Sequence, residues 1–314
     1  MAKARTLADI VEPGEAELIA TGFVFTEGPV WSKKEGLLIF SDPGGDTQWK
    51  VKPGQSPVLI RRGESPDGAT IDSKGRLITC DQNGRKVVAV RDDGSIEVLV
   101  DNYQGKKMNM CNDVCGHSSG ALYFSDPEAS LKPEQKEIGS PALWRLTPDG
   151  KLTFLTKEVA YPNGVAFSPD ESLLYAVDTR PDPHIKVFDV QPDGTIKNCR
   201  RFADMPYIKS PKGMTWIHPV SRKPRVAHEV GGVPDGIKID VEGRVFCTGT
   251  HGTWVFESDG TLIGIIRTPE LPANCAFGDD DWRSLYICSR MSVYRVRLKT
   301  PGMPVPTIKL PKKK

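Results

Sequence analysis

Three features predict an all-β chain built as a six-bladed β-propeller. Short β-type runs alternate with tight Asp/Ser-x-Gly or Asp-Gly turns along the whole length. The 30 glycines and 26 prolines are spread so evenly that, outside residues 279–300, no stretch free of both exceeds 12 residues, which excludes long helices. A polar residue just before a strand-like run recurs six times, at Glu27, Asp67, Asn112, Asn163, Asp235 and Asn274. Their separations are 40, 45, 51, 72 and 39 residues, the spacing of propeller blades made of four strands each.

The turns follow in order as Ser73-Lys74-Gly75, Asp92-Asp93-Gly94, Ser118-Ser119-Gly120, Pro148-Asp149-Gly150, Pro192-Asp193-Gly194, Val241-Glu242-Gly243 and Ser258-Asp259-Gly260. Each supplies a glycine where a hairpin needs positive φ. Between them lie runs rich in strand formers, such as Leu122-Tyr123-Phe124-Ser125, Leu173-Leu174-Tyr175-Ala176-Val177 and Ser284-Leu285-Tyr286-Ile287-Cys288. The long fourth interval is explained by an insertion over about 207–230, rich in Pro, Lys and Arg and expected to fold over the channel mouth. A propeller must join its ends, so Ala16–Ala20 is expected to add the outer strand to the blade built from Trp282–Leu298. Residues 1–314 thus read as one propeller domain with a flexible tail from about 303. Trp31 and Trp254 read as packing between blades, and Arg61, Arg62, Lys106 and Lys107 as solvated strand-end charge.

Charge is nearly balanced, 42 Lys and Arg against 40 Asp and Glu, so the concentrated basic face of a nucleic-acid binder is not expected. No run approaches a membrane span, and the first residues lack the apolar core of a signal peptide. Seven scattered cysteines read as reduced thiols, and with them a cytoplasmic location. Oligomeric state is not legible.

In a propeller the innermost strands line a central channel, and their entry ends gather at one mouth. The six recurring residues should therefore meet there. All six carry oxygen donors, and none is His or Cys. Such a set suits Ca²⁺, with Mg²⁺ and Mn²⁺ next and Zn²⁺ a further possibility. The competing reading is that Asx residues before glycine merely hold their own turns.

Several segments carry a family resemblance: Phe25-Thr26-Glu27-Gly28-Pro29-Val30-Trp31, Leu38-Ile39-Phe40-Ser41-Asp42 and Asn109-Met110-Cys111-Asn112-Asp113. So do Tyr161-Pro162-Asn163-Gly164-Val165-Ala166-Phe167-Ser168-Pro169-Asp170-Glu171, Val233-Pro234-Asp235-Gly236 and Pro269-Glu270-Leu271-Pro272-Ala273-Asn274. Together they resemble the gluconolactonase and senescence-marker-protein family over roughly residues 15 to 300, and luciferin-regenerating proteins and the diisopropylfluorophosphatase type share its architecture. The resemblance implies a six-bladed propeller, one divalent metal in the channel and hydrolysis of sugar lactones. It places metal ligands at Glu27, Asn163 and Asp235, with Asn112 a fourth ligand or a substrate contact. Asp113, Asn109, Asn274 and Asp67 are the accompanying substrate-side residues. Two departures stand out. Asp67 occupies a position where many lactonases carry Asn, so it holds its own turn, binds metal or acts as a second base. Cys80-Asp81-Gln82 replaces the usual Cys-Glu-His.

The expected chemistry is metal-assisted attack of water on a lactone carbonyl, with Asp235 as general base and Asp67 or Asp113 as substitutes. The partner is a small-molecule lactone. Two alternatives share the same cluster: a phosphotriesterase-like hydrolase and a non-catalytic calcium-binding propeller. Gly116-His117-Ser118-Ser119-Gly120 fits the nucleophile-elbow pattern, but a strand rather than a helix follows it, so Ser118 is expected in a hairpin turn. His228 is assigned to the mouth insertion.

Overall fold

A computed structural model describes residues 4–207, 215–217, 224–226 and 232–311. Six four-stranded antiparallel sheets surround one axis. Their innermost strands are Glu27–Ser32, Pro66–Ile71, Val114–Gly116, Pro162–Phe167, Ile237–Ile239 and Pro272–Gly278. Each packs on the next and the last packs on the first, so the ring closes. Closure of the sixth blade uses the N-terminal strand Glu17–Thr21, paired with Ser292–Arg297 as the sequence predicts. Among the described residues helix is confined to three short 3-10 turns, at Leu7–Asp9, Pro43–Gly45 and Pro133–Gln135. All seven hairpin-turn glycines lie at positive φ, from 77° at Gly75 to 90° at Gly260. Ser118 lies in the turn joining Val114–Gly116 to Leu122–Asp126, and its hydroxyl donates to Glu171.

Burial follows distance from the axis. Glu27–Ser32 is buried at every residue, because blades cover both of its faces, whereas the outer strand Val58–Arg62 is mostly exposed. The core accordingly consists of layers between adjacent blades. Trp144 is fully buried between the second and third blades, beside Tyr103 and Phe154. Trp31 stacks on Tyr286, ring centroids 5.4 Å apart, between the first and sixth. Fully burying one such side chain contributes about 1.5–3 kcal/mol.

One polar device recurs in three blades. An aspartate ending the second strand accepts hydrogen bonds from backbone amides of the loop leading into that blade's inner strand. Asp42 receives Val24 and Phe25 (3.0 and 2.9 Å), and Asp178 receives Ala160 and Tyr161 (both 2.9 Å). Asp126 receives Asn109 (3.0 Å) and the Trp144 indole (3.2 Å). These bonds hold the entries of three inner strands, and so the backbones carrying Glu27, Asn163 and Asn112. Asp81, at the same place in the second blade, instead meets Arg61 through two bonds of 3.1 and 2.6 Å. Arg61 is therefore 6% exposed and internally paired, not the solvated strand-end charge expected from its neighbourhood.

Burial pushes the Asp126 carboxyl up to about 7, although the Asn109 amide and the Trp144 indole both favour its ionised form. The folded state thus keeps a proton that the unfolded chain releases near pH 4. This carboxyl's contribution is fully present below that pH and declines as pH rises to about 7, by up to about 4 kcal/mol. Asp126→Asn, which mimics the protonated acid, is expected to flatten that decline in denaturation midpoints measured from pH 5 to 8. Equal pH slopes in the two proteins would refute the assignment.

The C-terminal segment departs from expectation. Instead of fraying from about 303, it runs across the propeller: Gly302 donates to the Trp282 carbonyl (2.8 Å), Met303 to Ile239 (3.0 Å) and Leu310 to Pro169 (2.7 Å). Met303, Pro304, Val305 and Thr307 close the channel end opposite the mouth, over a residual cavity of about 70 Å³. Their apolar side chains gain burial there that a free tail would forgo. Of the insertion at about 207–230, the described part is Tyr207 and an antiparallel pair, Thr215–Ile217 with Pro224–Val226. The rest, with His228 and the expected cover over the mouth, lies outside the described residues.

Candidate metal centre and active site

Five of the six recurring residues meet at the open end of the channel. Glu27, Asp67, Asn112, Asn163 and Asp235 line one cavity of about 250 Å³. Phe25, Pro43, Gly44, Ser65, Gln82, Tyr161, Thr179, Arg180 and Val233 complete its wall. The glycines after four of these residues explain how the strands come so close. A Cβ on Gly28 would stand 1.8 Å from the Asp67 carbonyl oxygen, and one on Gly164 would stand 2.4 Å from that of Asp235. Gly28 alone of the four has positive φ (46°), so Asp67-Gly68, Asn163-Gly164 and Asp235-Gly236 are not left-handed turns. Their glycines are there for proximity.

Hydrogen bonds order the carboxylates. Glu27 Oε2 accepts the Gly28 amide (2.8 Å) and the Asn274 side-chain amide (2.9 Å). Asp67 Oδ2 accepts the Asn112 side-chain amide (2.9 Å) and that of Gln82. Asp67 therefore does not hold its own turn; it is fixed across two blades. With its NH₂ turned to Asp67, Asn112 keeps its carbonyl oxygen for another partner. Gln82, where the family usually has His, buttresses Asp67.

Three predicted substrate contacts lie elsewhere. Asn109 is fully buried, its side-chain amide given to the Asp126 and Ser140 carbonyls (3.2 and 2.9 Å), and it anchors the loop before Asn112. Asn274 is consumed by Glu27 and by the Cys275 amide (2.8 Å). Asp113 is 1% exposed, accepts the Val114 amide (2.8 Å), and lies off the mouth with the Lys238 ammonium 3.8 Å away. Sequence position alone aligned these residues with the site; Asn109 and Asp113 stand on the loop before Val114–Gly116, and Asn274 reaches the site only through Glu27. Tyr161, Thr179 and Arg180 were not singled out from sequence. The signal available was their place beside Asn163 and after Asp178, at the mouth-side ends of strands.

Electrostatics mark the cluster as unbalanced. Burial pushes Glu27 up to about 7, against its two hydrogen bonds, with Asp113 adding repulsion. Asp67 is pushed well above the carboxylate range by burial, then by Glu27, Asp235 and Asp113. Asp235 rises for the same reasons, burial first and then Glu27 and Asp113. A hard dication fits this set: carboxylate and amide oxygens from Glu27, Asn163 and Asp235 face one cavity, and positive charge there would offset their repulsion. Among the described residues no group of three or more His, Cys, Asp and Glu side chains stands ready to hold a metal, so the fit depends on the amide oxygens.

Comparison with known proteins identifies the family. The profile of the SMP-30/Gluconolactonase/LRE-like region matches residues 25–291. A gluconolactonase of Zymomonas mobilis is 32% identical over 308 residues, covering 91% of this chain and 82% of that protein. Regucalcin of Xenopus laevis is 24% identical over 87% of this chain and 85% of its own. The solved gluconolactonase of Xanthomonas campestris superposes with a TM-score of 0.80 at 28% identity, covering 93% of this chain and 92% of that one. Fold, channel and sequence together make the chain a member of the SMP-30/gluconolactonase/LRE-like family.

Proposed function

We propose that the protein is a sugar-lactone hydrolase that holds one divalent cation, Ca²⁺ foremost, with Glu27, Asn163, Asp235 and Asn112. The observation that carries this reading is the convergence of five oxygen-bearing side chains from five blades in one cavity. Bound there, a hard dication supplies Lewis-acid polarisation of a carbonyl oxygen. The chain's own residues do the rest. Asp235 takes the proton of the attacking water and returns it to the ring oxygen as the ester bond breaks, giving a hydroxy acid. Asp67, held by Asn112 and Gln82, orders the opposite wall.

Nine of the fourteen wall residues end in polar groups, while Phe25, Pro43, Tyr161 and Val233 offer apolar faces. A sugar ring, with hydroxyl edges and C–H faces, matches that mixture. The gluconolactonase relatives support lactones, and the regucalcin relative favours calcium and keeps a binding-only propeller as the second reading. All seven cysteines are free, consistent with the reducing cytoplasm we propose as location. Among the described residues no helix is long and apolar enough to cross a membrane.

Stripping divalent ions is expected to lower δ-gluconolactone turnover by at least about 10²-fold. Restoring Ca²⁺, Mg²⁺, Mn²⁺ or Zn²⁺ singly in a pH-indicator assay ranks the usable metals. Full turnover in chelator would reject metal dependence, and tight calcium binding without turnover of any lactone would select the binding-only propeller.

A further inference from the structure

The mouth is acidic, yet one cation stands in its wall. Of the described residues lining the cavity, Arg180 alone carries positive charge, sharing the wall with Glu27, Asp67 and Asp235. It is exposed, and its guanidinium carbon sits 4.1 Å from the centroid of the Tyr161 ring. Its backbone is tied down through the residue before it. The preceding Thr179 donates its amide to the Tyr161 carbonyl (3.0 Å) and its hydroxyl to the Pro234 carbonyl (2.8 Å). The Thr179 carbonyl accepts the Tyr207 hydroxyl (2.8 Å). Those bonds join the Arg180 platform to the loops carrying Asn163 and Asp235.

Stacking on an aromatic ring covers the face of a guanidinium and leaves its in-plane N–H donors for a partner. Among the described residues no carboxylate pairs with Arg180 within ion-pair distance. A planar carboxylate on a bound molecule matches that fork in geometry and charge. A cation at the rim of an acidic mouth favours the entry of such an anion.

We propose that Arg180 selects lactones that carry a second, ionised carboxylate away from the ring carbonyl. This rests on the lactonase reading and narrows its substrate class to lactones of dicarboxylic sugar acids. Arg180 binds the spectator carboxylate at the rim; the ring carbonyl lies deeper, toward Glu27, Asn163 and Asp235. No bond to the spectator group forms or breaks.

The test compares D-glucaric acid γ-lactone, which carries the extra carboxylate, with the neutral D-gluconic acid γ-lactone. Metal-restored wild type, Arg180→Gln and Arg180→Lys are assayed on both. In Arg180→Gln the ratio of kcat/KM for the acidic over the neutral lactone is expected to fall about ten- to hundredfold, the loss of a charge-assisted pair. Arg180→Lys is expected to recover part of it, keeping the charge without the fork. An unchanged ratio, or equal losses on both lactones, overturns the proposal. Calorimetric binding of D-glucarate and D-gluconate to the same proteins decides the matter should neither lactone be opened. Failure on δ-gluconolactone as well would reject the lactonase reading. A glucarate preference lost in Arg180→Gln would still sustain anion binding at Arg180, and equal affinities would overturn it.

Discussion

Asp235→Ala is expected to lower kcat/KM for lactone hydrolysis by about 10³-fold or more, the effect of losing a general base together with charge stabilisation in one site. The carboxyl lines the cavity beside Glu27, Asn163 and Asp67, and burial, then repulsion from Glu27 and Asp113, raises its hold on a proton. Removing it also takes one ligand from the proposed metal set, so calcium affinity should fall in calorimetry. Asp67→Asn separates the two duties. It keeps the shape of a side chain that receives Asn112 and Gln82 and removes only the charge. We expect a loss of about tenfold there, because Asp67 lies outside the proposed ligand set. A tenfold or smaller loss in Asp235→Ala, with a 10³-fold loss in Asp67→Asn, would transfer the base to Asp67. Thermal melts of both variants establish whether the fold survives.

Arg61→Ala is expected to destabilise the protein by about 3–5 kcal/mol, because it strands a buried carboxylate. Asp81 is 1% exposed and is met by two guanidinium bonds from Arg61, whose Nε donates to Gln48 (3.0 Å). Removing the cation leaves Asp81 charged and dry between the first two blades. The double replacement Arg61→Met with Asp81→Leu should recover much of the loss, since matched apolar groups avoid the desolvation cost. Denaturant midpoints report both. A loss below about 1 kcal/mol for Arg61→Ala would mean that water reaches Asp81. The same position in three other blades carries an aspartate that receives backbone amides, so the second blade has exchanged a loop tie for a side-chain pair.

Much of this architecture was legible from the chain alone. Turn glycines, strand formers and the spacing of six polar residues all follow from local chemistry, and they predict blades, their number and a closing N-terminal strand, expected over Ala16–Ala20 and found at Glu17–Thr21. The spacing also brought Glu27, Asp67, Asn112, Asn163 and Asp235 to one mouth, because equivalent positions on a ring of repeats must converge. Direction was not legible. Asn109, Asp113 and Asn274 are neighbours of the site in sequence or register, but their side chains turn to Asp126, to the Val114 amide with Lys238 nearby, and to Glu27. Arg61 gives no sign in its own segment that Asp81, 20 residues on, will bury it. The tail from 303 has a proline-rich sequence ending in three lysines that reads as free, and only the open end of a finished channel gives its apolar residues somewhere to dock. Local sequence thus determined the blades and the ring of oxygen donors, since turns and strand periods are short-range. Tertiary structure decided which donors face the cavity, which charges are paired and where Arg180 stands, because those depend on neighbours that meet only when the ring closes.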